Sequence, residues 1–317
     1  CQIGSNFIDC IYDTTKEKIG KFSPGMHIPI ISAKNFKIEK PEVAYLFAWN
    51  HKEEIFEKEK DFLSHGGKWI SHISIWLLIM KKRILVTGGT GRFGSIFKRL
   101  KTEHKMFFPV KTTLDITNFK SIKKYIKFKK PNIVIHLAGL SRPMNIHDRQ
   151  IQKSIDLNII GTSNVTKACA EKNVKLVYFS TNYVYPGTKG NYKETDSLLP
   201  FNNYAWSKLG GECAVQMYKN SLILRLCMTE KPFTHKAAFY DAKNSFMYHD
   251  QVAAILLKLV NAKGILNVGG KSQSIYNFAK IENPKVKKIF LKKNKKIKMP
   301  INSSINTEKM KKIFKNK

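Results

Sequence analysis

Residues 80–94 read MKKRILVTGGTGRFG, and the order of residue types in that stretch decides the fold. Ile84-Leu85-Val86-Thr87 is a short apolar run, rich in β-branched side chains, of the kind that fills a buried strand. It passes into a glycine loop with glycines at 88, 91 and 94, and then into SIFKRLKTE, whose apolar spacing is helical. The turn after the strand needs positive φ or no Cβ, and the first backbone N–H groups of the helix are free to meet an anion. A glycine triplet alone says little. With a strand before it and a helix after it, the triplet predicts a loop that lies against a pyrophosphate.

Reading outward, strands and helices alternate. A second strand is predicted over Met106–Val110, a third over Pro131–His136, then a helix over 148–172. A strand over Val174–Ser180, a helix over 204–219 and a strand over Leu222–Leu226 follow. This repeat length predicts an α/β fold, a Rossmann-type doubly wound parallel sheet with a small C-terminal substrate region. Ala138 and Gly139, just past the third strand, are small enough for a backbone to lie beside a cofactor. No acid stands at the end of the second strand to hold ribose hydroxyls; Lys111 falls there instead, and Asp115 comes later. A cation at that position favours NADP(H) over NAD(H).

The stretch NNYAWSK, 202–208, sets Tyr204 and Lys208 four apart in a predicted helix, hence on one face. The strand before it ends at Ser180-Thr181-Asn182-Tyr183, and ligands of open α/β sheets bind beyond the carboxyl ends of strands. A hydroxyl, a phenol and an ammonium are therefore expected to converge. Reduction of a ketone leaves an alkoxide that needs a proton. A phenol with a pKa of about 10 serves better if a cation stabilises its anion.

Taken together, TGGTGRFG, HLAG, Asn158 with Gly161-Thr162, STNYVY and YAWSK resemble the extended short-chain dehydrogenase/reductases over about 80–280, and within them the dTDP-4-dehydrorhamnose reductase family. LDIT at 114–117, STNYVYPG at 180–187 and ETDSLLPFNNYAWSK carry the closer likeness. The resemblance implies a catalytic set of Thr181, Tyr204 and Lys208. It also implies cofactor phosphates on Gly88, Gly91, Arg92, Phe93 and Gly94, with Asp115 and Ile116 flanking the adenine. Lys208 would hold ribose hydroxyls as well. The implied activity is reduction of a 4-keto nucleotide sugar, with an epimerase or a non-catalytic NAD(P)-binding subunit as alternatives and a homodimer as a possible assembly. Sugar-nucleotide dehydratases follow this Thr with an Asp-Glu pair; Asn182-Tyr183 stands here, which disfavours dehydration.

Residues 1–79 are a different module. A strand is expected over Val43–Trp49 and a helix over Glu53–Phe62, closed by Gly66-Gly67. KIGK, Pro24-Gly25, HIPI, Ala48-Trp49-Asn50 and Gly66-Gly67 resemble the C-terminal domain of sugar C-methyltransferases over 1–73. The resemblance implies an incomplete α/β fragment joined at a seam over 74–79, and no catalytic residue is carried over from it. The second domain is expected to run over 80–317.

The net charge is +33, yet only six of the 56 basic residues are Arg. Lysine spread evenly reads as compositional drift, and Arg is what bidentate phosphate and base contacts need, so no specific nucleic-acid partner is expected. The Lys-rich stretch 282–317 is expected to be a solvated tail. Asp250 is a candidate N-cap for a helix over Gln251–Ala262, and His136 and His249 read as packing residues. Five scattered cysteines without a CxxC predict free thiols and no metal site. The apolar run 73–80 is shorter than the roughly 20 residues that span a bilayer, so a soluble, cytoplasmic protein is expected.

Overall fold

The computed structural model describes residues 8–39, 41–71, 81–293 and 299–315. The seam at 74–79 and the apolar run 73–80 lie outside the described residues. The chain divides into two compact units, residues 1–81 and 82–317.

In the first unit, Ile11–Asp13 pairs in parallel with Ile30–Ser32, and Val43–Leu46 in parallel with Lys68–Ser71. Phe36, Ala44 and Phe62 form its small core, with Tyr12 and Trp69 packed against them. The expected helix over 53–62 is two short helices, Lys52–Lys58 and Lys60–Ser64, and Gly66 turns the chain with φ of 87°. The expected strand stops at Leu46, short of Trp49.

The second unit is built on a six-stranded parallel sheet. Its strands are β1 (Arg83–Thr87), β2 (Lys105–Phe107), β3 (Ile133–His136), β4 (Lys175–Thr181), β5 (Ser221–Leu226) and β6 (Gly264–Val268), in the order β6-β5-β4-β3-β1-β2. Its main helices are α1 (Arg92–Phe97), α2 (Phe119–Lys129), α3 (Gly161–Glu171), α4 (Asn203–Gln216), α5 (His249–Leu259) and α6 (Glu308–Lys315). The chain leaves β1 for one edge and returns to β3 on its other side. The strand order therefore reverses at β1, and a crevice opens beyond the carboxyl ends of β1 and β3.

Strand residues alternate between two covered faces, as a parallel sheet requires. Ile84, Val86, Ile135, Phe179 and Leu224 face Phe97 and the α5 residues Val252 and Leu256. Leu85, Val134, Leu176 and Ile223 face Ile122 and Ile126 of α2 and Val165 of α3.

Three expectations are corrected. The second strand ends at Phe107 rather than Val110, and Pro109 has no N–H with which to extend the ladder. The helix over 148–172 is broken: Ile146–Arg149, Ile151–Ser154, a π-helical turn Ile155–Ile160, then α3. The tail is not simply solvated, because Lys287–Ile289 pairs with Ala237–Phe239 and α6 buries Met310 in the core beside β6. The smaller adjustment at α5 is that it starts at His249. There Gln251 Oε1 accepts from Tyr248 N at 2.8 Å, while Asp250 Oδ1 accepts from Gln251 N at 2.9 Å inside the first turn.

Candidate active site

The glycine loop lies where the strand order reverses. Gly88 has φ of 72°, and a Cβ there would stand 2.6 Å from Ala138 N. A Cβ on Gly94 would stand 2.5 Å from the Gly88 carbonyl. The loop is thus closed tightly against the chain after β3, with bare backbone at Gly88 and Gly94 where a Cβ would not fit. This is a cradle that suits a pyrophosphate. The structure brings Gly88, Gly91, Gly94, Ala138 and Gly139 together here. Gly139 is required for another reason, since its Cβ would meet Asn158 Oδ1 at 2.8 Å.

The remaining expected cofactor residues separate by environment. The Phe93 ring is core, 5.0 Å from the ring of Phe179. Ile116 is buried against Gly161. Asp115 spends Oδ1 on its own turn, accepting from Thr117 N at 2.9 Å and Thr117 Oγ1 at 2.8 Å. Burial pushes its carboxyl up, but those bonds and the Lys111 charge carry it below the ordinary value. Lys111 is exposed. Arg92 reaches sideways: Nη2 donates to Ser141 Oγ at 3.0 Å, and Nη1 lies 3.6 Å from Glu230, which also pairs with Arg142 at 3.2 Å.

Thr181 ends β4, and Asn202 caps α4 by accepting from Ala205 N at 2.8 Å, which sets Tyr204 in the first turn. Tyr204 is half-buried, and burial raises its phenol. The nearby Thr181 hydroxyl, which also accepts from Tyr183 N at 3.2 Å, and then the charges of Arg142 and Arg92 act against that rise. Lys208 is buried, its Nζ 4.2 Å from the centre of the Tyr178 ring. Burial pulls its ammonium down to about 7, with Glu212 opposing. The cations that favour the Tyr204 phenolate are thus the two arginines, whereas Lys208 faces Tyr178 and Glu212. That differs from the expectation that Lys208 acidifies the phenol.

Behind these groups lies a buried polar layer. Asn158, in the π-helical turn, accepts from Leu140 N at 2.6 Å and donates to Leu140 O at 2.9 Å and Ser207 Oγ at 2.8 Å. It ties the loop after β3 to α4. His136 lies between Thr87 Oγ1 at 2.7 Å and Thr162 Oγ1 at 3.1 Å, and burial with the Lys208 charge holds it neutral, down to about 3. Asn182 donates to Asn244 Oδ1 and Ser303 O, a structural use. Reading the sequence missed Arg142, Glu212, Arg225 and Glu230. For the arginines a signal existed: in a chain that uses Lys almost everywhere, each of the six Arg stands out.

Residues 81–229 match the family model described as the RmlD substrate binding domain, and residues 1–74 match the C-methyltransferase C-terminal domain. The Xenopus laevis protein called methionine adenosyltransferase 2 subunit beta is 29% identical over 168 residues, 50% of this chain and 50% of its own. A dTDP-4-dehydrorhamnose reductase of Aggregatibacter actinomycetemcomitans is 30% identical over 152 residues, 46% of this chain and 51% of its own. The chain spans about half the length of the curated relatives it matches. The crystal structure of dTDP-4-dehydrorhamnose reductase from Bacillus anthracis in complex with NADP aligns with a TM-score of 0.66 at 24% identity, over 73% of this chain and 92% of that one, which shows the shared fold. The larger unit resembles the dTDP-4-dehydrorhamnose reductases, and the front unit the C-terminal domain of C-methyltransferases.

Proposed function

We propose that residues 80–317 form a reductase domain that uses NADPH to reduce the 4-keto group of a nucleotide-linked sugar. The observation that carries this reading is the Thr181 hydroxyl against the Tyr204 phenol, on the same end of the sheet as the Gly88–Ala138 cradle. The nicotinamide cofactor supplies the hydride when bound. Gly88, Gly91 and Gly94 would receive its pyrophosphate, and Lys208 its ribose hydroxyls. Lys111, with no acid at the end of β2, supports NADP(H) over NAD(H).

Burial keeps Tyr204 protonated near neutrality, the state a proton donor needs. Thr181 fixes the carbonyl oxygen beside the phenol, and the arginines stabilise the phenolate left after transfer. The same residues would serve an epimerase of this family. Exposed Ile151, Ile155 and Trp206, on the helical segments around the π turn and on α4, support a homodimer. Unpaired Cys10, Cys169, Cys213 and Cys227 support a reducing, cytoplasmic location. Among the described residues no helix is long and apolar enough to cross a membrane.

A second reading, a non-catalytic cofactor-binding subunit, is favoured by the name of the Xenopus laevis relative, which is itself a subunit. NADPH consumption over a panel of 4-keto dTDP-sugars separates the two. The reductase reading expects turnover that falls roughly 100-fold or more in Tyr204→Phe. NADPH binding with no turnover of any ketone in the wild type supports the subunit instead.

A further inference from the structure

At the opposite end of the sheet, the amino ends of β1, β3, β4 and β5 surround a cavity of about 190 Å³. Lys82, Lys175 and Lys263 line it together with Asn132, Asn220 and Asn261, and no carboxylate does so among the described residues. Two of the asparagines already use their carbonyl oxygens. Asn132 Oδ1 accepts from Arg83 N at 2.8 Å, and Asn261 Oδ1 accepts from Lys82 Nζ at 2.6 Å. Their amide N–H groups are left to donate. Asn220 differs, its Nδ2 donating away from the cavity to Asn173 O at 3.4 Å. The cavity therefore presents three ammonium groups and the amide donors of Asn132 and Asn261.

Like charges held together need a reason. Lys175 Nζ donates to Ala262 O at 2.5 Å, just past the end of α5. A helix C-terminus supplies only about half a negative charge, which leaves most of three positive charges unbalanced. Lys175 registers this: burial first, then the charges of Lys263 and Lys82, pull it down to about 8. A small anion in the cavity would remove that repulsion and accept from every donor.

We propose that this cavity is a binding site for a small phosphate-type anion, separate from the glycine loop. A concave pocket of this size fits a compact inorganic anion, whereas a nucleic-acid backbone would need an extended groove. Nothing in the proposal depends on the reductase reading, because the site lies at the far end of the strands and its readout is binding.

The test titrates the full chain with inorganic pyrophosphate by calorimetry at about 0.15 M salt, where exposed charges are screened beyond about 8 Å. The variants are Lys82→Gln/Lys263→Gln and Lys175→Met. Lys124→Gln/Lys127→Gln, which removes two exposed charges from α2, is the control. Loss of charge-assisted hydrogen bonds should weaken binding roughly tenfold or more in the cavity variants and leave the control within about twofold. Should a cavity variant not fold, Lys263→Gln alone, an exposed position, carries the same expectation in smaller degree. Equal weakening in cavity and control variants, affinity unchanged in the cavity variants as pyrophosphate held on the glycine loop would give, or no pyrophosphate binding by the wild type at this salt overturns the proposal.

Discussion

Glu212→Gln is the substitution that most sharply tests how this fold holds its site. Arg225 and Glu212 are 1% and 0% exposed. Arg225 Nη2 donates to Glu212 Oε2 at 2.9 Å, and Nε lies 3.2 Å from both carboxylate oxygens. Nη1 donates to Tyr185 Oη at 3.0 Å and to Glu194 O at 3.2 Å. Burial works against the guanidinium charge, and the Glu212 carboxylate more than offsets it. Glutamine keeps the shape and one acceptor but removes the countercharge. Breaking one partner of a buried pair costs about 3–5 kcal/mol, and the retained packing puts this change near ~3 kcal/mol. Against a total stability of roughly 5–15 kcal/mol that is a large fraction. For a unit of this size it corresponds to a fall in Tm of roughly 6–12 °C.

Thermal and urea unfolding, followed by far-UV circular dichroism, measure the effect. Replacing both partners, Glu212→Leu with Arg225→Met, should recover most of the loss, because no buried charge is then left alone. A midpoint for Glu212→Gln within about 2 °C of wild type would refute the reasoning. It would mean that Arg225 finds water or another acceptor when the carboxylate goes.

Other outcomes follow from the same geometry. Gly94→Ala places a Cβ 2.5 Å from the Gly88 carbonyl, a backbone atom that cannot step aside, so NADPH binding measured by fluorescence should fall at least roughly tenfold with the fold retained. Asn158→Ala leaves Leu140 N and O without their partner and should destabilise the protein by about 1–3 kcal/mol in urea titrations. Lys208 sits near 7 when folded and near 10.5 when unfolded, so the unfolded chain binds more protons between those values. Stability of the ligand-free protein should therefore rise from pH 7 towards pH 10 more steeply in the wild type than in Lys208→Met, as read from urea midpoints.

The frame was legible because its signals are local. A β-branched run, three glycines and a helix start sit side by side at 84–97, and period-two burial on both faces of the sheet leaves long apolar strands that announce themselves. The broken helix before Gly161 was not legible. Its π turn places Asn158 against Leu140 and Ser207, partners 18 and 49 residues away, and no window of sequence holds that demand. The ordered tail was hidden likewise. Its lysines read as solvent-facing, yet Met310, Ile313 and Phe314 recur at helical spacing and pack on the core.

The spacing of Tyr204 and Lys208 was read as an acid and its acidifier, and one more helical turn changes the interpretation. Glu212 lies four residues beyond Lys208, so phenol, ammonium and carboxylate step along α4, and the carboxylate locks onto Arg225 of β5. Burial drives Lys208 towards its neutral form while the Glu212 charge favours the ammonium, and Glu212 is itself fixed by the guanidinium. A nearer or freer carboxylate would keep Lys208 fully charged and bind it as an ion pair. Without the carboxylate the buried amine would be neutral and of little use to an anion or a hydroxyl. The arrangement lowers the lysine well below its ordinary range while Glu212 limits the fall. The phenol takes its stabilisation from Arg142, on the loop after β3, and Arg92, the first residue of α1. The proton-donating group and the buried cation are therefore tuned by different sets of charges, and a substitution at Glu212 should shift the titration of Lys208 while leaving that of Tyr204 to the arginines.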